Sequence, residues 1–135
     1  MPTMAIVGHG IDLVEIDRIE QMLDRHGRRF IERCFTPDEI AYADAARKRR
    51  AERYAVRFAA KEAALKALGT GLRDGIRWTD VAVTREPSGR PGLAITGRAN
   101  ELADRQRISS WRTSLTHAGN LAMASVIALS DRPGD

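Results

Sequence analysis

Apolar and polar positions change their spacing several times along the chain, and each change predicts a new element of secondary structure. Residues 8–17, GHGIDLVEID, have the apolar and β-branched content of a buried strand. The strand is interrupted, because Asp12 lies within it and Gly8 and Gly10 leave two positions without side chains. The pattern therefore predicts a strand and raises the question of what a carboxylate does in it.

Three helices are predicted after this strand. In 17–30 the apolar residues fall on one helical face opposite a set of arginines, and Asp17 and Glu20 form a possible capping pair. Thr36 begins the sequence TPDE, which has the residues of a capping box and a proline at the first helical position. The alanine-rich segment 51–68 predicts the longest helix, which ends at the glycines that follow it.

Two strand pairs and one short helix complete the pattern. They are, in order, strands at 78–85 and 92–96 about a turn at 88–91, a helix at 99–106, and two strands within 111–129 about a turn at 118–120. The order β-α-α-α-β-β-α-β-β predicts an α+β fold, in which a largely antiparallel sheet packs on the long helix. No repeat or linker marks a boundary, so we expect a single domain at 1–135.

Composition narrows the class of protein. The chain has 135 residues, 43% of them hydrophobic, which is enough for a core. Its longest apolar run, at 121–129, is far shorter than the roughly 18 residues that span a bilayer, and no leader segment is apparent, so we expect a cytoplasmic protein. Cys34 is the only cysteine and is expected to be a small buried hydrophobe.

The charge favours an acidic partner. Only three of the 22 basic residues are lysines, and arginine suits phosphate and carboxylate geometry. The net charge is +4 with a pI near 9.8. Genome base composition explains an arginine excess equally well, so the positions of the charges have to decide.

Two carboxylates are candidates for chemistry. Glu62 lies at the edge of the apolar stripe of the long helix, and Lys66 follows one turn later, so the two form either an ordinary ion pair or part of a site. Asp12 is either a turn residue or a ligand. Together, carboxylates from separate elements beside a lysine suit Mg²⁺ on a phosphate substrate.

His117 and a glycine segment are weaker candidates. His117 ends a predicted strand beside a turn, where it is either structural or a donor to phosphate. The GTG segment at 69–71 ends a helix, so the helix dipole has the wrong sign for a phosphate-binding loop.

Three motifs together resemble one family, the 4'-phosphopantetheinyl transferases of the holo-acyl-carrier-protein synthase type. GHGIDLVEIDRI is similar to the N-terminal element of that family, RFAAKEAALKALGTG to its central helix and loop, and SLTHAGNLAMASVIAL to its closing strands. The similarity spans nearly the whole chain. It implies the 4'-phosphopantetheinyl transferase fold, and transfer of the phosphopantetheine arm from coenzyme A to a serine of apo-acyl carrier protein, with release of adenosine 3',5'-bisphosphate, for fatty acid biosynthesis.

The resemblance also implies roles for individual residues. Asp12 and Glu62 would hold Mg²⁺ on the diphosphate of coenzyme A, and Lys66 and His117 would donate to phosphate oxygens, so these four form the expected catalytic set. Further expected contacts of coenzyme A are Arg57, Gly69, Thr70, Gly71, Arg90 and Pro91. The general base stays open between a metal-ordered water and Glu62.

The arginines of the first predicted helix are assigned a partner in the same way. Acyl carrier proteins are strongly acidic, so Arg18, Arg25 and Arg29 would pair with carrier carboxylates. Arg28 is an equally exposed neighbour, the register here is uncertain by one residue, and a plain solvated face is the alternative. The family further implies a homotrimer with coenzyme A bound between subunits.

Two other function classes remain on the residues alone. A basic nucleic-acid-binding protein would use the run RKRRAER at 47–53, although this run has no aromatic residue for base stacking. A nucleotide-hydrolysing enzyme would use the same two carboxylates without a protein acceptor. Given the resemblance, we expect neither a nucleic-acid nor a membrane partner.

Overall fold

The computed structural model describes residues 3–131, so the predicted domain 1–135 extends beyond it at both ends and its bounds stay a prediction. The elements are β1 (Ala5–Glu15), α1 (Ile16–His26), α2 (Arg28–Cys34), α3 (Pro37–Asp44), α4 (Arg50–Leu68), β2 (Val81–Arg85), β3 (Pro91–Ile95), α5 (Gly97–Arg105), β4 (Ser110–Ala118) and β5 (Leu121–Ser130). Strands β1, β5 and β4 form one antiparallel sheet in that order, and β2 pairs with β3 in a hairpin. The predicted α+β class is confirmed.

The first predicted helix departs from the predicted pattern in two ways. The first predicted helix is broken at Gly27, whose φ of 46° is a left-handed value, so Arg29 belongs to α2. The Asp17–Glu20 capping pair is wrong, because α1 begins after Glu15 and Glu15 gives it no side-chain cap.

The strand predicted from residue 78 begins later than expected. Trp78–Asp80 form a 3₁₀ turn, and β2 starts at Val81. The carboxylate of Asp80 accepts hydrogen bonds from the backbone N–H groups of Arg77 and Ala99, so it connects this turn to the start of α5. Side-chain hydrogen bonds of this kind compete with strand pairing, and the apolar period alone does not reveal them.

Helix α4 is the centre of the fold, and the glycines of β1 explain how closely the strand approaches it. A Cβ atom on Gly8 or Gly10 would lie 1.9 Å from the carbonyl oxygen of Ala67 or Ala63, respectively. Only glycine allows the strand backbone to lie directly on the helix backbone. This contact fixes how far the next residue on the same face of β1, Asp12, lies from α4.

A buried ion pair attaches three elements to one another. The capping box predicted at Thr36 and Glu39 is confirmed. Glu39 also pairs with Lys61 of α4 at 2.8 Å and accepts the N–H of Val83 in β2 at 2.9 Å, and Lys61 donates to the carbonyl oxygens of Trp78 and Val81. Lys61 is 0% exposed, so its charge is stable only because these partners surround it.

The two faces of the three-stranded sheet differ in burial. Side chains such as Val126 and Ala122 are buried towards the helices. On the outer face Leu13 lies opposite Met123 and near Ile11 and Leu121, and all four are exposed apolar residues. Within the described part of the chain, no helix is both long and apolar enough to cross a membrane.

Candidate active site

Strand β1 and helix α4 bring the two candidate carboxylates into one electrostatic group. The side chain of Asp12 is 13% exposed, and its Oδ1 lies 3.1 Å from Nζ of Lys66. The same Nζ donates to the carbonyl oxygen of Ile11 at 2.9 Å. The ion pair of Lys66 is therefore with Asp12 of the neighbouring strand, which the sequence did not indicate, and its contact with phosphate stays a prediction.

Glu62 lies half-buried one turn before Lys66 on α4. Burial raises the pKa of Glu62, the charge of Asp12 raises this pKa further, and the charge of Lys66 lowers it. The ionised form of Glu62 is therefore disfavoured mainly by desolvation and, to a smaller extent, by the neighbouring charge of Asp12. A cation between them would remove this penalty.

The donor set fits a hard divalent cation that is shared with a substrate. No three His, Cys, Asp or Glu side chains among residues 3–131 gather as a complete ligand set. Mg²⁺, however, commonly takes one or two protein carboxylates, and phosphate and water oxygens fill its other positions. Asp12 and Glu62 meet that requirement.

The glycine segment begins three residues after Lys66. Gly69, with φ of 84°, caps the C-terminus of α4, and its N–H bonds to the carbonyl oxygens of Leu65 and Lys66. The hydroxyl of Thr70 donates to the carbonyl oxygen of Gly71. The segment ends a helix, as the sequence indicates, and its role towards coenzyme A stays a prediction.

A second group of site residues lines a cavity of about 270 Å³ at the other end of α4. Arg57, Pro91 and His117 were predicted from the sequence, and all three line it. Nε2 of His117 lies 3.2 Å from Oε1 of Glu52. Arg90 is exposed in the hairpin turn beside this cavity, where its N–H donates to the hydroxyl of Ser88.

Four further residues of this cavity were missed. They are Tyr42, Arg49, Arg53 and Arg85. A signal for two of them was present, since Arg49, Arg53 and Arg57 are spaced four residues apart, which places them on one side of a helix. Nothing local links Tyr42 or Arg85 to them. The basic run at 47–53 is thus divided between this cavity and an ion pair of Arg50 with Asp44.

The two groups face different directions. Glu62 and Lys66 lie four residues apart on one side of α4, and Arg53 and Arg57 lie four apart on another. At 3.6 residues per turn, the five residues from Arg57 to Glu62 correspond to a rotation of about 140°. The two groups of candidate residues, called half-sites from here on, are therefore separate on one chain.

The arginines predicted to bind a carrier protein are all exposed. Arg18 and Arg25 lie on α1 and Arg29 on α2. Arg28 differs from its neighbour, since it pairs with Glu32 at 3.6 Å, whereas Arg29 lines a groove of about 550 Å³. The other residues along this groove are Met22, His26, Phe30, Arg33, Cys34, Phe58 and Trp78, so a cationic rim borders an apolar floor.

Comparisons with known proteins show which family the chain is similar to. The family model of the 4'-phosphopantetheinyl transferase superfamily matches residues 8–126. A holo-[acyl-carrier-protein] synthase of Solibacter usitatus (strain Ellin6076) is 47% identical over 122 residues, which are 90% of this chain and 97% of that relative.

Solved structures with the same description align over nearly the full length. The crystal structure of the holo-[acyl-carrier-protein] synthase from Neisseria meningitidis has a TM-score of 0.83 and 31% identity, and the alignment covers 92% of this chain and 98% of that one. A holo-(acyl-carrier-protein) synthase from Bacillus anthracis str. Ames, in complex with CoA (3',5'-ADP), has a TM-score of 0.78 and 36% identity over 95% of this chain and 99% of that one.

Proposed function

Because the chain belongs to the 4'-phosphopantetheinyl transferase superfamily, we propose that it acts as a holo-[acyl-carrier-protein] synthase. It transfers the 4'-phosphopantetheine arm of coenzyme A to a serine of apo-acyl carrier protein, in the cytoplasm and for fatty acid biosynthesis. The observation that carries the proposal is the convergence of Asp12, Glu62 and Lys66 from β1 and α4.

The reaction exchanges one phosphorus–oxygen bond for another. The serine oxygen bonds to the phosphorus that carries pantetheine, the bond from this phosphorus to the bridging oxygen breaks, and adenosine 3',5'-bisphosphate leaves. The serine proton passes to a base, for which a water near the carboxylates and Glu62 are the candidates.

The side chains supply charge and position. Asp12 and Glu62 would hold Mg²⁺, which neutralises charge on the diphosphate when it is bound. Lys66, already directed at this place by its bonds to Asp12 and Ile11, donates to a phosphate oxygen as negative charge develops on the leaving group. We expect Arg57 and the segment 69–71 to lie around the nucleotide and its 3'-phosphate. Arg90 and Pro91 would approach the adenine, and His117 would donate to a phosphate oxygen.

We further propose that the two half-sites are completed between subunits of a homotrimer. The separation of Arg57 from Glu62 around α4 supports this, because the two groups face different directions on one chain. The exposed apolar outer face of the sheet, with Leu13 and Met123 at its centre, supports burial against further copies.

The acidic carrier protein docks on the surface formed by Arg18, Arg25 and Arg29. The cationic rim attracts carrier carboxylates and speeds the encounter, and the apolar groove beside Arg29 offers area to bury. This surface is separate from the arginine cavity on α4. Carrier binding and nucleotide binding can therefore be altered independently.

One assay tests the activity. Apo-acyl carrier protein is incubated with the protein, coenzyme A and Mg²⁺, and its intact mass is measured; a gain equal to phosphopantetheine is expected. Asp12→Asn and Glu62→Gln should abolish the gain at limiting Mg²⁺ with unchanged melting temperatures, whereas Asp104→Asn, an exposed residue of α5, should not. Loss of coenzyme A without carrier modification would instead identify a hydrolase.

Subunit mixing tests the shared site. Asp12→Asn and Arg57→Gln subunits should each be inactive alone, and mixing them after dissociation should restore part of the activity, because some interfaces then combine two intact half-sites. Light scattering should give the mass of a trimer. Activity of a monomeric Leu13→Asp variant at the wild-type rate would contradict the arrangement.

A further inference from the structure

Helix α1 takes its N-terminal cap from a distant part of the chain. The residue before the helix, Glu15, forms no side-chain hydrogen bond to the first turn. Two backbone N–H groups of that turn bond instead to Asn120, between β4 and β5. The N–H of Ile16 donates to the carbonyl oxygen of Asn120 at 2.8 Å, and the N–H of Asp17 donates to its side-chain Oδ1 at 3.0 Å. The side chain that caps α1 therefore lies 103 positions further along the chain than the N–H that it accepts.

The three-stranded sheet holds Asn120 in this place. Strands β4 and β5 meet in a two-residue turn, in which Gly119 has a φ of 56°, a left-handed value that glycine adopts freely. Directly after the turn, Leu121 pairs with Glu15 at the end of β1. Asn120 therefore lies beside the point where the chain leaves β1 and enters α1.

An external cap matters for this helix because its first turn carries a positive charge. Arg18 is the third residue of α1, and the helix dipole disfavours a cation at the N-terminal end. Asp17, the acidic residue of this turn, offsets part of that cost. The first N–H groups of a helix have no partners within the helix, so the turn frays unless other acceptors are present. Asn120 supplies acceptors for two of these groups.

The two arginines of α1 that we assign to the carrier protein depend on this cap to different degrees. Arg18 lies in the first turn, whereas Arg25 lies about two turns later, where the helix dipole favours its charge. Between them, the side chains of Ile19 and Leu23 are buried and attach the middle of the helix to the core. Fraying of the first turn would therefore displace Arg18 and leave Arg25 in place.

We propose that Asn120 is a positioning residue for the carrier protein, which holds Arg18 by capping the first turn of α1. The inference rests on the proposed function, because the acidic carrier is the partner for which Arg18 is held. Asn120 acts through the backbone of α1 and not through a contact with the carrier. A turn that is already formed does not have to be ordered when the carrier binds, so loss of the cap weakens carrier binding and leaves the chemical step unchanged.

The kinetic test compares variants of Asn120. Asn120→Ala should raise KM for the carrier about fivefold, which is the effect typical of a lost helix cap. Its kcat and its KM for coenzyme A should stay near the wild-type values. Asn120→Asp keeps an acceptor oxygen in a side chain of the same shape and should recover most of the carrier affinity. Asn100→Ala, which removes an exposed asparagine of α5, is the matched control and should behave like the wild type.

Double variants distinguish the positioning of Arg18 from a general loosening of the helix. In an Arg18→Gln background, Asn120→Ala should change KM for the carrier little further, because the side chain that the cap positions is already gone. In an Arg25→Gln background, Asn120→Ala should still raise this KM about fivefold. Equal effects of Asn120→Ala in both backgrounds would overturn the inference, since a loosened helix would affect both arginines alike.

Amide hydrogen exchange on the full-length protein tests the cap without any carrier. In Asn120→Ala the amides of residues 16–19 should exchange about fivefold faster, and those of α4 should exchange at the wild-type rate. Unchanged exchange at 16–19, or a normal KM for the carrier in an active Asn120→Ala variant, would overturn the inference alone. A wild-type protein that neither binds nor modifies the carrier would contradict the proposed function, and with it the inference.

Discussion

Gly10→Ala tests how β1 places Asp12 in the site. The added Cβ would lie 1.9 Å from the carbonyl oxygen of Ala63, whereas such contacts in proteins are not closer than 3.0 Å. The clashing atom is helix backbone, so strand and helix must separate by about 1 Å. Overpacking of this kind costs about 1–3 kcal/mol. A shift of about 1 Å in Asp12 relative to Glu62 can reduce the rate about a hundredfold.

The assay combines carrier modification with thermal melts. We expect Gly10→Ala to lower the melting temperature by roughly 4–12 °C and to lose transfer at temperatures where it is still folded. Gly92→Ala is the matched control for stability, since its Cβ would meet the side-chain oxygen of Thr84 at 2.8 Å, and that side chain can rotate. Wild-type melting and turnover for Gly10→Ala would refute the claim that the glycine is required for close packing.

Three further changes probe separate parts of the molecule. Lys66→Ala removes a half-exposed ion pair with Asp12, so the free energy of unfolding should change little, by about 0–1 kcal/mol. The transfer rate should fall about a hundredfold. Normal turnover at saturating coenzyme A would return Lys66 to a structural role. The double variant Arg18→Glu, Arg25→Glu should weaken carrier binding, most strongly at low salt, and leave KM for coenzyme A unchanged. Loss of coenzyme A binding would contradict the assignment of these arginines to the carrier protein. Lys61→Met leaves the buried charge of Glu39 unpaired, so the free energy of unfolding measured by chemical denaturation should fall by about 3–5 kcal/mol. Adding Glu39→Gln should recover part of this loss. An unchanged denaturation midpoint in Lys61→Met would show that the pair is dispensable.

Local signals in the sequence predicted most elements correctly. The capping box at Thr36 and the helix-ending Gly69 depend on contacts within a few residues, so the chain encodes them locally. The break at Gly27 was missed because the apolar period continues across it. The turn at Trp78–Asp80 was missed because Asp80 accepts one of its hydrogen bonds from Ala99, which is far along the chain.

For the site, the sequence by itself determined which residue types were available. Carboxylates, a lysine and a histidine in three recognisable motifs indicated the family and its chemistry. The sequence did not determine how these residues pair. Lys66 bonds to Asp12, 54 residues away, rather than to Glu62 one turn before it. Helical spacing indicates only which partners on the same helix are possible. The packing of β1 against α4 decided which carboxylate pairs with Lys66.

Tertiary structure alone decided how the remaining polar groups are satisfied. Lys61 is buried against Glu39, and the ring of Tyr42 contacts Arg85 and two arginines of α4. No periodicity along the chain joins α3, α4 and β2 to one another. The physical reason is that periodicity reports which side of an element is apolar, whereas the partner of a buried charge is set by which elements pack together. Those contacts join α3, α4 and β2, and they exist only once the chain has folded.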